Sequence, residues 1–261
     1  MEEARWAIVE AEGVPGAVVG MVGAIPLGKI GILCHLAVHH DYRKMGLGVR
    51  LSSWAVSYLR SRGAEVVRLD ATHRAEALYR SLGFELTSRR VTYRLEGATL
   101  KARVRDARSR SPRSSESALS ITPLAFGDLP ELYGVDRWSF GADRSALILA
   151  TLRLHPGRGL VARDASGRIK GYLIRSASET GTRIGPFMAA ELTVARALLS
   201  RAVIVNRSNS MEVTVPGEGP AHVLLEEFNF VGRQYRLRME LSEVPHTKGL
   251  QAYGTSPYLA T

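Results

Sequence analysis

The chain has 261 residues, of which 45% are hydrophobic, and it carries a net charge of +10. This length favours two domains, and the apolar content is sufficient for two cores. The single cysteine, Cys34, excludes an intrachain disulfide and a cysteine-based zinc site, and it is expected to be a buried strand thiol.

The start of the chain, MEEARW, is acidic and lacks an apolar stretch behind a basic segment. It therefore does not resemble a secretory signal, and the cytoplasm is the expected location. The apolar stretch at 17–38 has the length of a membrane span, but it contains Pro26, Lys29, His35 and several glycines. These residues favour two strands around a turn, so we expect no membrane-spanning segment.

Hydrophobic spacing in the first hundred residues predicts alternating strands and helices. The predicted strands are 6–11, 17–25, 29–38, 65–70 and 86–95, and the predicted helices are 47–62 and 73–82. Gly63 stands where a left-handed C-cap belongs, and Thr72 is placed to cap the second helix, which Gly83 ends. Antiparallel strands followed by a strand, a helix and a strand indicate a mixed α/β or α+β fold.

Much of the positive charge lies at residues 101–118, which hold six Lys and Arg against two acids. This segment is rich in Ser and Arg and has no apolar periodicity. It predicts a flexible linker between domains at 1–100 and 119–245, with a tail at 246–261. A solvated tether is favoured over an arm that touches nucleic acid or another acidic partner.

The second half repeats the pattern of the first half. Segment 6–25 is similar to segment 159–177, and the helix that ends at Gly83 is similar to one that ends at Asn229. The second copy has no counterpart of HHDYRKMGLG, whereas residues 119–158 add a strand and two helical segments that the first copy lacks. The first copy is therefore expected to be truncated at its start, and upstream residues, the other domain or another subunit would complete it.

Residues 43–48, RKMGLG, join a predicted strand to a predicted helix. A Walker loop needs G-x-x-x-x-G-K-[ST], which the chain lacks, and a Rossmann fingerprint needs a third glycine where Leu51 stands. In the pattern [RQ]-x-x-G-x-[GA], Gly46 and Gly48 let successive N–H groups point into one concavity at the helix start. Such a loop suits a pyrophosphate, and the two cations before it add positive charge.

Two stretches, LAVHHDYRKMGLGVRL and LDATHRAEALYRSLGFEL, resemble the GNAT superfamily of acetyl-CoA-dependent N-acetyltransferases. The former is similar to that family's strand, pyrophosphate loop and helix, and the latter is similar to its later strand, helix and GF signature. The resemblance covers residues 6–96, and the other half of the chain resembles the same fold without the loop. It implies two tandem domains, each with a mixed, mostly antiparallel sheet flanked by helices.

The resemblance also implies an N-acetyltransferase that moves an acetyl group from acetyl-CoA to an amine by direct attack in a ternary complex. The acceptor would be a small molecule or a protein amino group, and no metal is expected. The alternative is a non-catalytic acyl-CoA-binding or regulatory protein, and a homodimer is left open. The residues implied to bind the donor are Leu36, Ala37, Val38, Arg43, Lys44, Met45, Gly46, Leu47, Gly48 and Val49.

The same resemblance places Tyr79 where many relatives carry a tyrosine that protonates the leaving thiolate. An equally favoured alternative is that Tyr79 only packs in the core. A backbone N–H near Val38 would stabilise the oxyanion. Some relatives carry a glutamate that acts as the general base where this chain has Ile32. The remaining candidates for the base are His35, His39, His40, Asp70 and water, although Asp70 is better suited to ordering the turn at Thr72. The alternative is that the amine arrives already neutral.

Overall fold

The computed structural model describes residues 4–109, 119–179 and 181–242. These residues form two compact units. Unit 1 contains residues 4–89 and 236–242, and unit 2 contains residues 90–109, 119–179 and 181–235. Each unit is a mostly antiparallel sheet flanked by helices, which confirms the predicted fold class.

The described residues form eleven strands and seven α-helices. In order they are β1 (Arg5–Glu10), β2 (Val18–Leu27), β3 (Ile30–Val38), α1 (Leu47–Ser61), β4 (Val66–Ala71), α2 (Glu76–Ser81), β5 (Glu85–Glu96), α3 (Gly97–Ser109), β6 (Ser120–Pro123), α4 (Leu129–Phe140), α5 (Ser145–Leu154), β7 (Gly159–Arg163), β8 (Ile169–Ser178), β9 (Gly181–Ala189), α6 (Leu192–Ile204), β10 (Ser210–Pro216), α7 (Pro220–Glu227) and β11 (Val231–Ser242). The strands and helices predicted for the first half are confirmed with small shifts at their ends. The helix predicted at 73–82 begins as a 3₁₀ turn, His73–Ala75.

In unit 1, β1, β2 and β3 form an antiparallel meander, and β4 joins β3 in parallel. Helices α1 and α2 cover one face of this sheet, where alternate strand residues such as Val22, Leu33 and Leu69 are buried. Gly31 lets α1 lie close to β3, because a Cβ at this position would come within 2.9 Å of Leu59. The left-handed residues Gly63 and Gly83 follow the two helices, as predicted.

Unit 1 also contains the last part of β11. Residues 237–242 pair antiparallel with β4, and Leu237 and Met239 are buried in the core of unit 1. In unit 2, the second part of β5 pairs antiparallel with β10 in the same manner. Each unit thus includes a strand from the other half of the chain. The boundaries differ from the predicted ranges 1–100 and 119–245, because strand pairing over long sequence separations leaves no local signal in the sequence.

Unit 2 has the strand order β5-β10-β9-β8-β7-β6, and it contains the strand and the two helices predicted within 119–158. Its helix α3 occupies part of the predicted linker. Leu100 is buried in the core of unit 2, and Arg103 donates to the carbonyl of Glu227 and the side chain of Asn229. The prediction of a flexible linker is therefore wrong for residues 101–109. Residues 110–118 and the predicted tail 246–261 lie outside the described residues.

The apolar stretch at 17–38 forms strands β2 and β3, as predicted. Among the residues that the structure describes, none of the helices has the length and apolar character needed to cross a bilayer.

Candidate active site

Strand β3 separates from β4 halfway along its length. The two strands pair from Ile30 to Ile32, whereas β3 stays paired with β2 as far as Val38. The pairing with β2 slips by one residue near His35, whose φ of 53° marks a bulge in β3. Along residues 36–38, the edge of β3 that faced β4 therefore has no strand partner among the described residues. Its backbone groups can serve a ligand.

The loop after β3 curls tightly before α1 begins. Lys44 and Gly46 have φ values of 65° and 76°, so two left-handed residues alternate with an ordinary one. Arg43 Nε donates to the carbonyl of Val38 at 3.1 Å and ties the loop to the strand. Since no described side chain caps α1, the N–H groups of its first turn are available to an anion.

The two glycines of this loop are required for different reasons. A Cβ at Gly46 would meet nothing within 4 Å, so the need for glycine comes from the left-handed backbone. A Cβ at Gly48 would lie 2.7 Å from Leu78 Cδ1, so glycine there lets the start of α1 approach α2 closely. The loop therefore needs Gly46 for its backbone conformation and Gly48 for the close approach of α1 to α2.

A pocket of about 660 Å³ lies where the end of β3, the loop and the start of α1 meet. Nine of the ten residues predicted to bind the donor line it, and Met45, which is 66% exposed, does not. The sequence prediction missed five further lining residues, Tyr42, Thr72, Arg74, Ala75 and Leu78. Four of these follow β4 or belong to α2, and only the tertiary fold brings them beside the loop.

Tyr79, the predicted general acid, is 5% exposed and is not among the residues that line the pocket. Its ring packs edge-on against Phe84, with ring centroids 5.6 Å apart, beside the pocket residue Leu78. Burial raises the pKa of Tyr79 well above its ordinary value, and the neighbouring Cys34 adds to the rise. The phenol is therefore protonated at neutral pH.

The candidate bases lie in different surroundings. His39 Nδ1 and His40 Nε2 lie 3.6 Å and 3.2 Å from the carboxylate of Asp41, in the exposed turn after β3. His35 is exposed at the bulge, next to Trp6. The residue at the alternative glutamate position, Ile32, is fully buried.

Asp70 pairs with a neighbouring strand, and the cap predicted for Thr72 is not observed. Asp70 accepts two hydrogen bonds from Arg238, at 2.6 Å and 2.9 Å, on the neighbouring strand β11. Thr72 precedes the 3₁₀ turn, but its side chain makes no capping hydrogen bond, so the cap prediction is wrong. Thr72 instead lines the pocket.

From β7 onward, unit 2 has the same succession of elements without the loop. Only Ala190 and Glu191 separate β9 from α6, and the carboxyl-bearing Glu191 is the N-cap residue. The N–H of Phe230 bonds to the carbonyl of Leu225 as the N–H of Phe84 bonds to that of Tyr79, so Leu225 occupies the position of the tyrosine. A carboxylate at the helix start is unfavourable for a bound pyrophosphate.

Comparisons with known proteins agree with this duplication. The model of the acetyltransferase (GNAT) family matches residues 1–84, and a second GNAT acetyltransferase domain model matches residues 133–254. The chain belongs to the GNAT family of acetyltransferases. It is a GNAT acyltransferase with a tandem arrangement of domains, which confirms the predicted family and enzyme class.

Individual GNAT relatives are distant. The chain is 24% identical over 220 residues to YitH, an uncharacterized N-acetyltransferase of Bacillus subtilis, covering 84% of this chain and 72% of that protein. A GCN5-related N-acetyltransferase from Sphaerobacter thermophilus has a similar fold, with a TM-score of 0.62 and 18% identity over 96% of this chain and 83% of that one. A tandem GNAT protein from the clavulanic acid biosynthesis pathway has a TM-score of 0.58 and 13% identity, covering 94% of this chain and 85% of that one.

Proposed function

We propose that unit 1 binds acetyl-CoA in the pocket at the end of β3 and transfers its acetyl group to an amine in a ternary complex. The observation that carries the proposal is that one pocket gathers the free edge of β3, the curled loop 43–48 and the uncapped start of α1. Each of these parts offers backbone N–H groups, and together they suit a ligand that is apolar at one end and phosphorylated at the other.

The side chains of the pocket match the two ends of such a ligand. Arg43, Lys44 and Arg74 supply three cations, and the described lining contains no carboxylate. Leu36 and Leu78 supply apolar surface. Charge-assisted hydrogen bonds from the cations and the positive end of α1 favour a pyrophosphate, while the apolar wall favours the pantetheine arm.

Acetyl-CoA supplies an activated thioester, and the chain supplies orientation and proton transfer. An N–H group within residues 36–38 would stabilise the negative charge that develops on the carbonyl oxygen. Tyr79 lies beside the pocket residue Leu78 and is protonated at neutral pH, and in this proposal it gives its proton to the departing thiolate. In this proposal the pocket binds the donor and Tyr79 acts as the general acid.

Titration calorimetry with acetyl-CoA tests donor binding. We expect one molecule per chain, since unit 2 lacks the loop and carries Glu191 at its helix start. ATP serves as a control, because it offers phosphates without a pantetheine arm. The proposal fails if acetyl-CoA gives no heat, or if ATP binds as tightly as acetyl-CoA.

A second assay measures release of free CoA from acetyl-CoA over a panel of amines, with a thiol-reactive dye. Release that rises with amine concentration is expected. A chain that binds acetyl-CoA but releases no CoA beyond the amine-free rate with any amine would be a binding protein without the proposed transfer activity.

Substitution Tyr79→Phe tests the general acid. We expect kcat to fall by about 10- to 100-fold with little change in acetyl-CoA affinity, because the ring still packs on Phe84 and only the hydroxyl is lost. Tyr58→Phe is the control, since Tyr58 lies on α1 outside the pocket lining and stacks on Trp54. An unchanged kcat in Tyr79→Phe would show that Tyr79 is only a packing residue.

A further inference from the structure

The face of β1–β3 opposite the helices carries an exposed apolar surface. Residues Val22 and Ala24 of β2 point into the helix-covered core, so Met21 and Gly23 belong to the opposite face. Trp6 pairs with Gly23 and Ile8 pairs with Met21, which places both on that face. Trp6 is 48% exposed and Ile8 is 56% exposed. We call the surface formed by Trp6, Ile8, Met21, Gly23, His35 and Ala37 the Trp6 face.

The Trp6 ring is held in a defined position. A Cβ at Gly23 would come within 3.1 Å of the indole and 2.8 Å of Cys34 Sγ, so the missing side chain leaves room for the ring. The indole stacks on the His35 imidazole with ring centroids 6.3 Å apart. Glycine on the central strand and histidine on the next thus fix an aromatic platform beside the bulge.

The bulge at His35 brings its imidazole against the Trp6 ring. The φ of 53° at His35 is unusual for a side-chain-bearing residue, and such strain is retained where a specific side-chain position is needed. The bulge turns His35 onto the Trp6 face, one residue before the strand edge that lines the pocket. Unlike His39 and His40, it forms no ion pair with Asp41.

The Trp6 face is continuous with the pocket. Ala37 lines the pocket and pairs with Met21, which in turn pairs with Ile8, so one cross-strand row runs from the pocket to the sheet edge. We propose that the Trp6 face binds the acceptor, a primary amine on an aromatic or alkyl body, and that His35 accepts the proton of that amine. This proposal rests on the proposed acetyl transfer.

The proton inventory of the step is complete. The nitrogen lone pair forms the new C–N bond, and the C–S electron pair leaves with the thiolate of CoA. The amine attacks in its neutral form. One proton moves from its nitrogen to the imidazole of His35, the thiolate takes a proton from Tyr79, and the Tyr79 phenolate regains a proton from solvent. His35 then releases its proton to solvent, to which it is exposed. No oxidant, reductant or metal is needed.

Selectivity between amines tests whether the Trp6 indole binds the acceptor. With acetyl-CoA as donor, we expect 2-phenylethylamine to give a higher kcat/KM than ethanolamine. Trp6→Ala should raise the KM for 2-phenylethylamine about tenfold and leave that for ethanolamine nearly unchanged, because only the former stacks on the indole. Trp138→Ala, at a 70% exposed tryptophan of unit 2, is the matched control.

Removal and replacement of the imidazole test the base. His35→Asn and His35→Gly both accept a left-handed backbone, so they should fold and bind acetyl-CoA as the wild type does. We expect each to lower kcat by about 100-fold or more, the range for loss of a general base. Added imidazole should restore part of the rate in His35→Gly, whereas it should not affect His155→Gln, a control in unit 2.

The outcomes distinguish failure of this acceptor proposal from failure of the proposed donor site. If acetyl-CoA fails to bind the wild type, the proposed function itself fails. If acetyl-CoA binds and only polar amines are acetylated, or if Trp6→Ala slows all amines equally, the Trp6 face is not the acceptor site. A dimer of the wild type that Trp6→Ala dissociates would assign this face to a second copy instead. A His35→Gly variant with full activity, or without rescue by imidazole, would exclude His35 as the base.

Discussion

Gly46 illustrates how a single residue can be required for function without making a side-chain contact. Its left-handed φ of 76° curls the loop, and an added methyl group would meet open space. Gly46→Ala should therefore act through the backbone, at a cost of about 1–2 kcal/mol. If the loop then uncurls, the N–H groups no longer converge on one ligand.

We expect Gly46→Ala to weaken acetyl-CoA binding about tenfold, which titration calorimetry would measure. Gly167→Ala is the matched control, because Gly167 has a φ of 81° and equally open surroundings in a turn of unit 2. Both variants should lose similar stability. Equal acetyl-CoA affinity in the two variants would contradict a role for the curled loop.

Cys34 shows the opposite case, a residue whose chemistry the fold suppresses. Burial raises the pKa of its thiol from 9.0 to about 12. The native state therefore holds the thiol neutral, and this contribution to stability is present below pH 9 and is lost as the pH rises towards 12. We expect a thiol-specific dye at pH 8 to react slowly with native protein and fully in urea. Rapid labelling of the native chain would contradict the burial of Cys34.

At the level of elements, the pairing of β11 with β4 depends on charge as well as apolar packing. Asp70 lies opposite Arg238, and Arg68 lies opposite Glu240 with Nε 2.6 Å from the carboxylate. The side chains of Asp70 and Arg238 are only 6% and 8% exposed. A shift of β11 by one residue would move these charges to the opposite face, so the pairs specify the register.

Arg238→Met should destabilise unit 1 by about 3 kcal/mol, because it leaves the buried Asp70 carboxylate without its bidentate partner. Urea unfolding, followed by loss of acetyl-CoA binding, would measure the change. Arg233→Met is the control on the same strand, since Arg233 is 53% exposed in its pair with Glu96 and should contribute at most about 1 kcal/mol. The double variant Arg238→Met with Asp70→Leu should recover much of the loss. Equal effects of Arg238→Met and Arg233→Met would show that the buried Asp70–Arg238 pair contributes no more to stability than an exposed pair.

At the level of the whole molecule, neither half of the chain contains all the residues of its unit. Residues 237–242 belong to the sheet of unit 1, to which Leu237 and Met239 contribute buried side chains. A chain that ends at residue 235 should therefore lose acetyl-CoA binding although the pocket residues remain. A chain that ends at residue 242 keeps every described strand and should bind normally. Normal binding by the shorter chain would show that β4 does not need β11.

Much of the fold and part of the candidate site follow from local sequence. The helix of residues 47–61 and the strands on either side of it are encoded by hydrophobic spacing and by glycines at their ends, so their prediction was confirmed. The start of α3 was missed because Leu100, its buried apolar residue among those described, lies within a segment that is otherwise rich in charge. Arg74 was missed because it reaches the pocket from a different strand end.

The sequence by itself determined the loop of residues 43–48, because a left-handed glycine and a following helix start are local properties of the backbone. It also determined the tandem arrangement, since the two copies repeat the same order of elements. Only the tertiary structure decided that Asp70 pairs with Arg238, 168 residues away. It also decided that Trp6 meets His35 across Gly23. These contacts join separate strands, and a strand pairing depends on the free energy of the whole sheet and not on any one segment.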